Sequence, residues 1–410
     1  MRICIIAYKF YESSPRIRQF ATTYHACGHS VDVYSLGESS SASIEILEGI
    51  RIHRIQRRIR NEKTKFQYLL RTLRFLFSAS IRITAQHSKQ RYDLVQIFGV
   101  PDFLVLAAWR LKLDGTPILL DVYDLTPELY CAKFGCKEQS AVFRILVATE
   151  RFSASLCDHV IAPNPIWKAR LLSRSVPEGR CTHIPYYSDD KLFHRGTAHE
   201  GSKVIRLLYA GTLNSLQGLD IAIRAFSKAL QNLSKSEFHI YGEGPQETHL
   251  ATMISSLHLE SNVFLHNTVP VQQLAEMMAQ FDIMIVPKRI STKFGAEAAS
   301  TKIWDGLRAG LVVIAARTPV EQLYFSDEEV FYFTPEDEDE LASAIIKVCS
   351  DASLRSKLRA SAEQFLRTNN WENHKDDFMK LVGRLTGHRL GGTCEPHDNS
   401  AISAPPCAHN

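Results

Sequence analysis

No stretch of this sequence approaches the ~20 consecutive apolar residues that a membrane-spanning helix requires, and the opening MRICIIAYKF turns polar too soon for a signal-peptide core. Cysteine is not arranged as a scaffold: the nine residues are scattered, odd in number and nowhere spaced as CxxC. That pattern points to reduced intracellular thiols rather than to a disulfide framework or a zinc site. No zinc module, RNA-binding signature or helix-turn-helix speaks for nucleic acid, and a net charge of +4 says little by itself. What these absences leave is a cytoplasmic globular protein. At 410 residues, 45% hydrophobic and 22% charged, the chain has room for two domains of about 100–200 residues. Two domains imply a cleft.

RICIIAY reads as a strand, Pro15 to about Cys27 as a helix, and VDVYSL after Gly28 as a second strand, which together make a βαβ opening. YDLVQIF, PILLDVYD, DHVIAPN and CTHIPYY continue as strands, with PDFLVLAAWRLK and Val142–Leu156 as helices. Such continuous Val/Ile/Leu runs are those of buried parallel strands, so residues 1–193 are expected to form a doubly wound, Rossmann-like α/β domain. Residues 194–204 are polar and lack apolar periodicity, as a linker does. The pattern restarts with IRLLYAG and runs through EFHIYGEG, NVFLHN, FDIMIVP, LVVIAA and EVFYF, giving a second Rossmann-like domain over 205–370. The acidic run 336–340 suits a helix start. Residues 388–410 gather Pro, Ser, Gly and His and are expected to be disordered.

Ligands of open α/β sheets bind beyond the carboxyl ends of the strands, and three segments in the second half lie there. Tyr209–Gly218, containing Gly211, Thr212 and Gln217, is a strand followed by a glycine turn; it is either a phosphate-binding turn or merely a close-packed one. Gly242, Gly244 and Pro245 after EFHIY would let backbone approach a ring or ribose. Glu297 and Asp305 bracket seven residues, with Lys302 one helical turn before the aspartate. A lysine near a helix start suits a diphosphate, and an acid one turn on suits ribose hydroxyls.

The ordered set LLYAGTL, QGLDIAIRAF, IYGEGP and STKIWDGLRAGLVVIAARTPV resembles the C-terminal domain of family 4 glycosyltransferases. SSPRIRQFATTYHACGHSVDVYSL, VPDFLVLAA and DVYDLTPE resemble that family's N-terminal half, so the similarity runs from Arg2 to about Leu385. The resemblance implies the GT-B architecture, two Rossmann-like domains facing a cleft, with residues 371–387 as a helix crossing back to the first domain. It implies a retaining, metal-independent transferase that takes a nucleotide-sugar donor, UDP-sugar by preference, uses no further cofactor, and serves a glycan or lipid-linked acceptor as bacterial polysaccharide and lipopolysaccharide enzymes do. Glu297 would then lie near the donor sugar, Asp305 on the ribose, and Lys302 on the diphosphate; Gly211, Thr212, Gln217, Gly242, Gly244 and Pro245 would line the nucleotide.

Two departures from the family pattern matter. Thr212 and Gln217 stand where two basic residues usually stabilise the leaving diphosphate, which leaves Lys302, Lys288, Arg289, Lys293 and the N–H groups of Gly211 and Thr212 as substitutes. Tyr123 stands where the family carries a histidine facing the reacting sugar. These departures keep open a non-catalytic, sugar-nucleotide-binding partner protein, and a sugar-nucleotide epimerase is the remaining enzyme class. Between Arg51 and Arg91 the chain has twelve Lys/Arg and one acid, interleaved with aromatics and leucines. That suits either a helix lying on the inner, anionic membrane surface or a basic helix packed on its own domain.

Overall fold

The computed structural model describes residues 1–38, 42–57, 65–194, 204–233 and 235–388. The expected linker, apart from its first and last residues, and the expected tail beyond residue 388 lie outside the described residues. Eight strands form the first sheet: β1 (Arg2–Phe10), β2 (Ser30–Gly37), β3 (Ile44–Leu47), β4 (Ile50–Arg57), β5 (Leu94–Phe98), β6 (Ile118–Asp121), β7 (His159–Ala162) and β8 (Cys181–His183), in the order 3-4-2-1-5-6-7-8. Every pairing is parallel except the β3–β4 hairpin. Six parallel strands form the second: β9 (Ile205–Ala210), β10 (Ser236–Tyr241), β11 (Val263–His266), β12 (Ile283–Val286), β13 (Val312–Ala316) and β14 (Val330–Phe333), in the order 11-10-9-12-13-14.

Chain direction across each sheet reverses at one seam, β1/β5 in the first and β9/β12 in the second. Every residue of β5 and β13 is buried because helices cover both faces, which is why these sequences run apolar without alternating. Topology thus delivers two switch points, each with loops at its carboxyl edge, and the cleft lies where they meet.

The final helix, Trp371–Thr386, packs on the first domain: Trp371 donates its indole N–H to Thr23 at 2.7 Å, and Phe378 stacks on Phe20 at 4.5 Å. The acidic run caps the helix Glu338–Ser350, with Asp337 accepting from the Glu340 N–H and Glu338 pairing with Arg224. PDFLVLAAWRLK is a 3₁₀ turn, Asp102–Ala108, followed by a short helix, Trp109–Leu113, rather than one helix.

The thiol expectation is corrected. Cys131 and Cys136 are joined in a disulfide, and Cys27 is also disulfide-bonded, while Cys4, Cys157, Cys181 and Cys349 are free and buried. Spacing hid the first link, because five residues that leave a helix through Gly135 (φ 67) fold back on themselves.

The basic segment contains one 25-residue helix, Lys65–Lys89. Phe75, Ala79 and Ile83 bury one face, with Phe75 edge-on to Tyr8 at 5.2 Å. Leu70, Arg74, Phe77 and Ile81, spaced as one helical stripe, are exposed. No helix among the described residues is long and apolar enough to cross a membrane.

Candidate active site

On the second domain the floor is the turn after β9. Gly211 has φ 151, and a Cβ there would lie 2.5 Å from Cε of Lys302. A Cβ on Gly242 would lie 2.0 Å from the Gly211 carbonyl oxygen, so the two glycine turns pack backbone on backbone. The Gly211 N–H is committed to the Tyr241 carbonyl at 2.9 Å. Gly211 therefore serves the site by leaving room for a lysine, not by donating. Lys302 crosses that gap from the helix Thr301–Arg308 and donates to Oε1 of Gln217 at 2.9 Å, which also accepts from the Tyr209 hydroxyl at 3.2 Å.

The other candidate cations are already paired. Lys288 faces Glu321 at 3.4 Å and donates to the Ala298 carbonyl; Arg289 forms two bonds to Asp220 at 2.7 and 2.8 Å; Lys293 reaches Glu138 at 2.6 Å. Among the described residues the Lys302 ammonium has no carboxylate hydrogen-bond partner: it donates to the Gln217 amide and lies 5.5 Å from the centroid of the Tyr209 ring. Burial, followed by the charge of Lys288, pushes its ammonium down to about 8. Thr212 is exposed beside it, and Gly244 and Pro245 follow in the turn after β10, with Pro245 exposed.

Asp305, one turn further along the helix, accepts from the Tyr186 hydroxyl at 2.9 Å and from the Ser188 hydroxyl at 2.7 Å. Burial pushes its carboxyl up to about 7, against those two hydrogen bonds and Lys302. Glu297 closes the short helix Lys293–Glu297. One of its carboxylate oxygens is bound by Arg170 of the first domain; the other, Oε2, is buried without a hydrogen-bond partner. Glu321 likewise accepts the Ser300 N–H at 2.8 Å through Oε1 while its Oε2 has none.

The first-domain wall is built differently. Arg16 donates to both oxygens of Asp121 at 3.0 and 3.1 Å and to the carbonyls of Ile184 and Pro185. Tyr123 lies under the Lys9 ammonium, 3.2 Å from the ring centroid, and its phenol is pushed up to about 12, chiefly by burial. Burial also raises Asp124 to about 6, with Lys9 opposing. Tyr123, Asp124, Trp167 and Tyr186 face Ala298, Thr301 and Trp304 of the second domain around one interdomain pocket.

The comparisons with known proteins now bear on this cleft. The pattern of the glycosyl transferase 4-like domain matches residues 13–187, and that of glycosyl transferases group 1 matches residues 190–365. The chain belongs to the family 4 glycosyltransferases. The chain is 29% identical over 172 residues, 40% of its own length, to an exopolysaccharide phosphotransferase of Streptomyces coelicolor. It is 20% identical over 158 residues, 38% of its length, to a Salmonella typhimurium protein named as the colanic acid biosynthesis glycosyltransferase WcaL. The chain spans 18% and 39% of those two proteins. Among solved structures the sucrose-phosphate synthase of Thermosynechococcus elongatus superposes with a TM-score of 0.76 at 18% identity, over 94% of this chain and 99% of that one. WaaG, a glycosyltransferase involved in lipopolysaccharide biosynthesis, gives 0.69 at 15% identity over 94% and 100%. Anabaena HepE in complex with UDP gives 0.67 at 14% identity over 94% and 100%. At such identities the likeness establishes the GT-B fold.

Several groups in this cleft carry no signal in the sequence. The expected strand CTHIPYY ends at His183 in the structure, so Tyr186 lies in the loop after it and Ser188 just beyond; Arg170 carries no motif, and Glu321 follows β13 with nothing to mark it as buried. Glu128, from the DVYDLTPE segment, proves to hold Arg170 at 3.0 Å and Arg174 at 2.6 Å.

Proposed function

We propose that the protein is a retaining, metal-independent glycosyltransferase that moves a sugar from a nucleotide-sugar donor, UDP-sugar by preference, to a glycan or lipid-linked acceptor in cell-surface polysaccharide synthesis. The observation that carries this reading is Lys302: a half-buried ammonium with no carboxylate hydrogen-bond partner among the described residues, lying over the Gly211 turn at the carboxyl edge of the β9/β12 seam. It stands beside Gln217, one of the two positions at which the family usually carries a base. A diphosphate there would gain a charge-assisted partner in a place where charge is worth most.

In the proposed reaction the bond from the anomeric carbon to the β-phosphate oxygen breaks. A bond to the acceptor oxygen forms on the same face, and the acceptor's proton passes to the departing phosphate. Lys302 stabilises that phosphate, Asp305 receives ribose hydroxyls, Glu297 holds the sugar, and Tyr123 with Asp124 borders the reacting centre from the first domain. The UDP bound to Anabaena HepE supports a uridine donor.

The acceptor side is proposed to sit at a membrane's inner face. Support comes from the exposed stripe of Leu70, Arg74, Phe77 and Ile81, together with exposed Trp109 and Leu113 on the helix packed beside it.

The test is a binding and turnover screen with UDP-, GDP- and dTDP-hexoses, comparing the wild type with Lys302→Ala and Asp305→Ala. One donor should bind and slowly release its sugar, and both variants should lose binding. A donor bound but never turned over, even with membrane extract as acceptor source, would instead support a non-catalytic partner protein. Conversion of the donor into its epimer would make the protein an epimerase.

A further inference from the structure

One face of the first-domain helix Pro165–Arg174 is aimed across the cleft at the second domain. Its cap residue Asn164 donates to the Glu297 backbone carbonyl at 3.0 Å, Trp167 stacks on Phe294 with ring centroids 5.7 Å apart, and Arg170 binds the Glu297 carboxylate. The spacing of 167, 170 and 174 is that of a single helical stripe, and Arg174 completes it inside the domain. Behind it, Arg174 binds both oxygens of Glu128, at 2.6 and 3.0 Å, and both oxygens of Glu150, at 2.8 and 2.6 Å; Glu128 in turn accepts from Arg170 at 3.0 Å. Arg170 is thus braced from the rear by a buried carboxylate while its other amino group holds Oε1 of Glu297. Oε2 is left buried and unpartnered.

A carboxylate oxygen buried without a donor is costly. A ligand hydroxyl delivered to that atom would relieve it. We propose that Arg170 is the positioning residue for donor-sugar recognition: it orients Glu297 so that Oε2 accepts a hydroxyl of the bound hexose, and it does so only when the two domains are together. The sugar would then be read by a pair drawn from both domains. This inference rests on the donor site proposed above.

The test compares the affinity of each bare nucleoside diphosphate with that of its hexose conjugate, using UDP, GDP and dTDP with their glucose, mannose and galactose forms, on full-length protein. Arg170→Ala should weaken the cognate hexose conjugate by about tenfold or more while leaving the bare diphosphate within about twofold, because one charge-assisted contact is lost at the sugar only. Arg170→Lys should recover part of the difference. Adding Arg170→Ala to Glu297→Ala should produce no further loss. Arg174 still pairs with Glu128 in the Ala variant, and an unchanged melting temperature would show that the helix is intact. Equal weakening of diphosphate and conjugate, or additive losses in the double variant, would overturn the role of Arg170 while leaving the donor site standing. A wild type that binds none of the nucleotides would remove the donor site and this inference with it.

Discussion

The two walls of the cleft spend their charges in opposite ways. On the first-domain wall the ions nearest the cleft are paired, Arg16 with Asp121 and Arg174 with Glu128 and Glu150. On the second domain, among the described residues, Lys302 donates to an amide and lies over the Tyr209 ring, Asp305 accepts from two hydroxyls, and Glu297 and Glu321 each keep a buried oxygen without a partner. Satisfied ion pairs hold a wall in one shape but have nothing left to offer a ligand. Incompletely satisfied ones cost stability and are retained where binding will complete them. The contrast fits the division proposed above, scaffold on the first wall and donor binding on the second, with Arg170 a first-wall cation that reaches across.

The largest expected effect would come from the scaffold side. Arg16→Ala leaves Asp121 buried and unpaired, and should cost about 3–5 kcal/mol of folding stability, seen as a lower urea midpoint at unchanged slope. If Lys302→Ala cost as much in the same titration, the division between the walls would fail. Lys302→Ala should instead act on turnover, lowering kcat/KM for the donor by about 10²–10³-fold with little change in melting temperature.

The same lysine supplies a pH signature. Its pKa lies near 8 in the unliganded site, and a diphosphate favours the protonated form, so binding should take up protons and weaken as the pH climbs through 8. Titration calorimetry in buffers of different ionisation enthalpy reads that uptake directly, and Lys302→Arg should remove it. Asp305 gives a smaller, opposite test on stability. Its folded pKa is raised, to about 7, above the ordinary carboxylate value, so its ionisation opposes folding and the stability present at low pH is lost as the pH rises through 7. Asp305→Asn, whose amide oxygen can still accept from Tyr186 and Ser188, should melt at the same temperature as wild type near pH 3 and higher than it at pH 8. The smallest effect on folding should come from the exposed stripe: Phe77→Ser with Ile81→Ser should change stability by no more than about 0.5 kcal/mol while reducing sedimentation with anionic vesicles several-fold.

Much of this architecture was legible from residues alone. Apolar runs such as ILLD and VVIAA announce buried parallel strands, and the glycines at 211 and 242 mark turns where backbones touch. The spacing of Lys302 and Asp305 put both on the early turns of one helix, where the structure has them. Pairing between distant segments was not legible. Arg170 and Glu297 are 127 residues apart, and Tyr186 and Asp305 are 119 apart; nothing local in either member signals the other. The disulfide between Cys131 and Cys136 was missed for a related reason, since it depends on a helix end turning back through Gly135.

By itself the sequence determined what local periodicity and turn chemistry can encode: two doubly wound sheets, their switch points, and the segments that border them. Tertiary structure alone decided which of several nearby cations is left for an anion. A lysine is available or spent according to the carboxylate that reaches it through space: Lys288 meets Glu321, Lys293 meets Glu138, and Lys302, alike in sequence, meets neither.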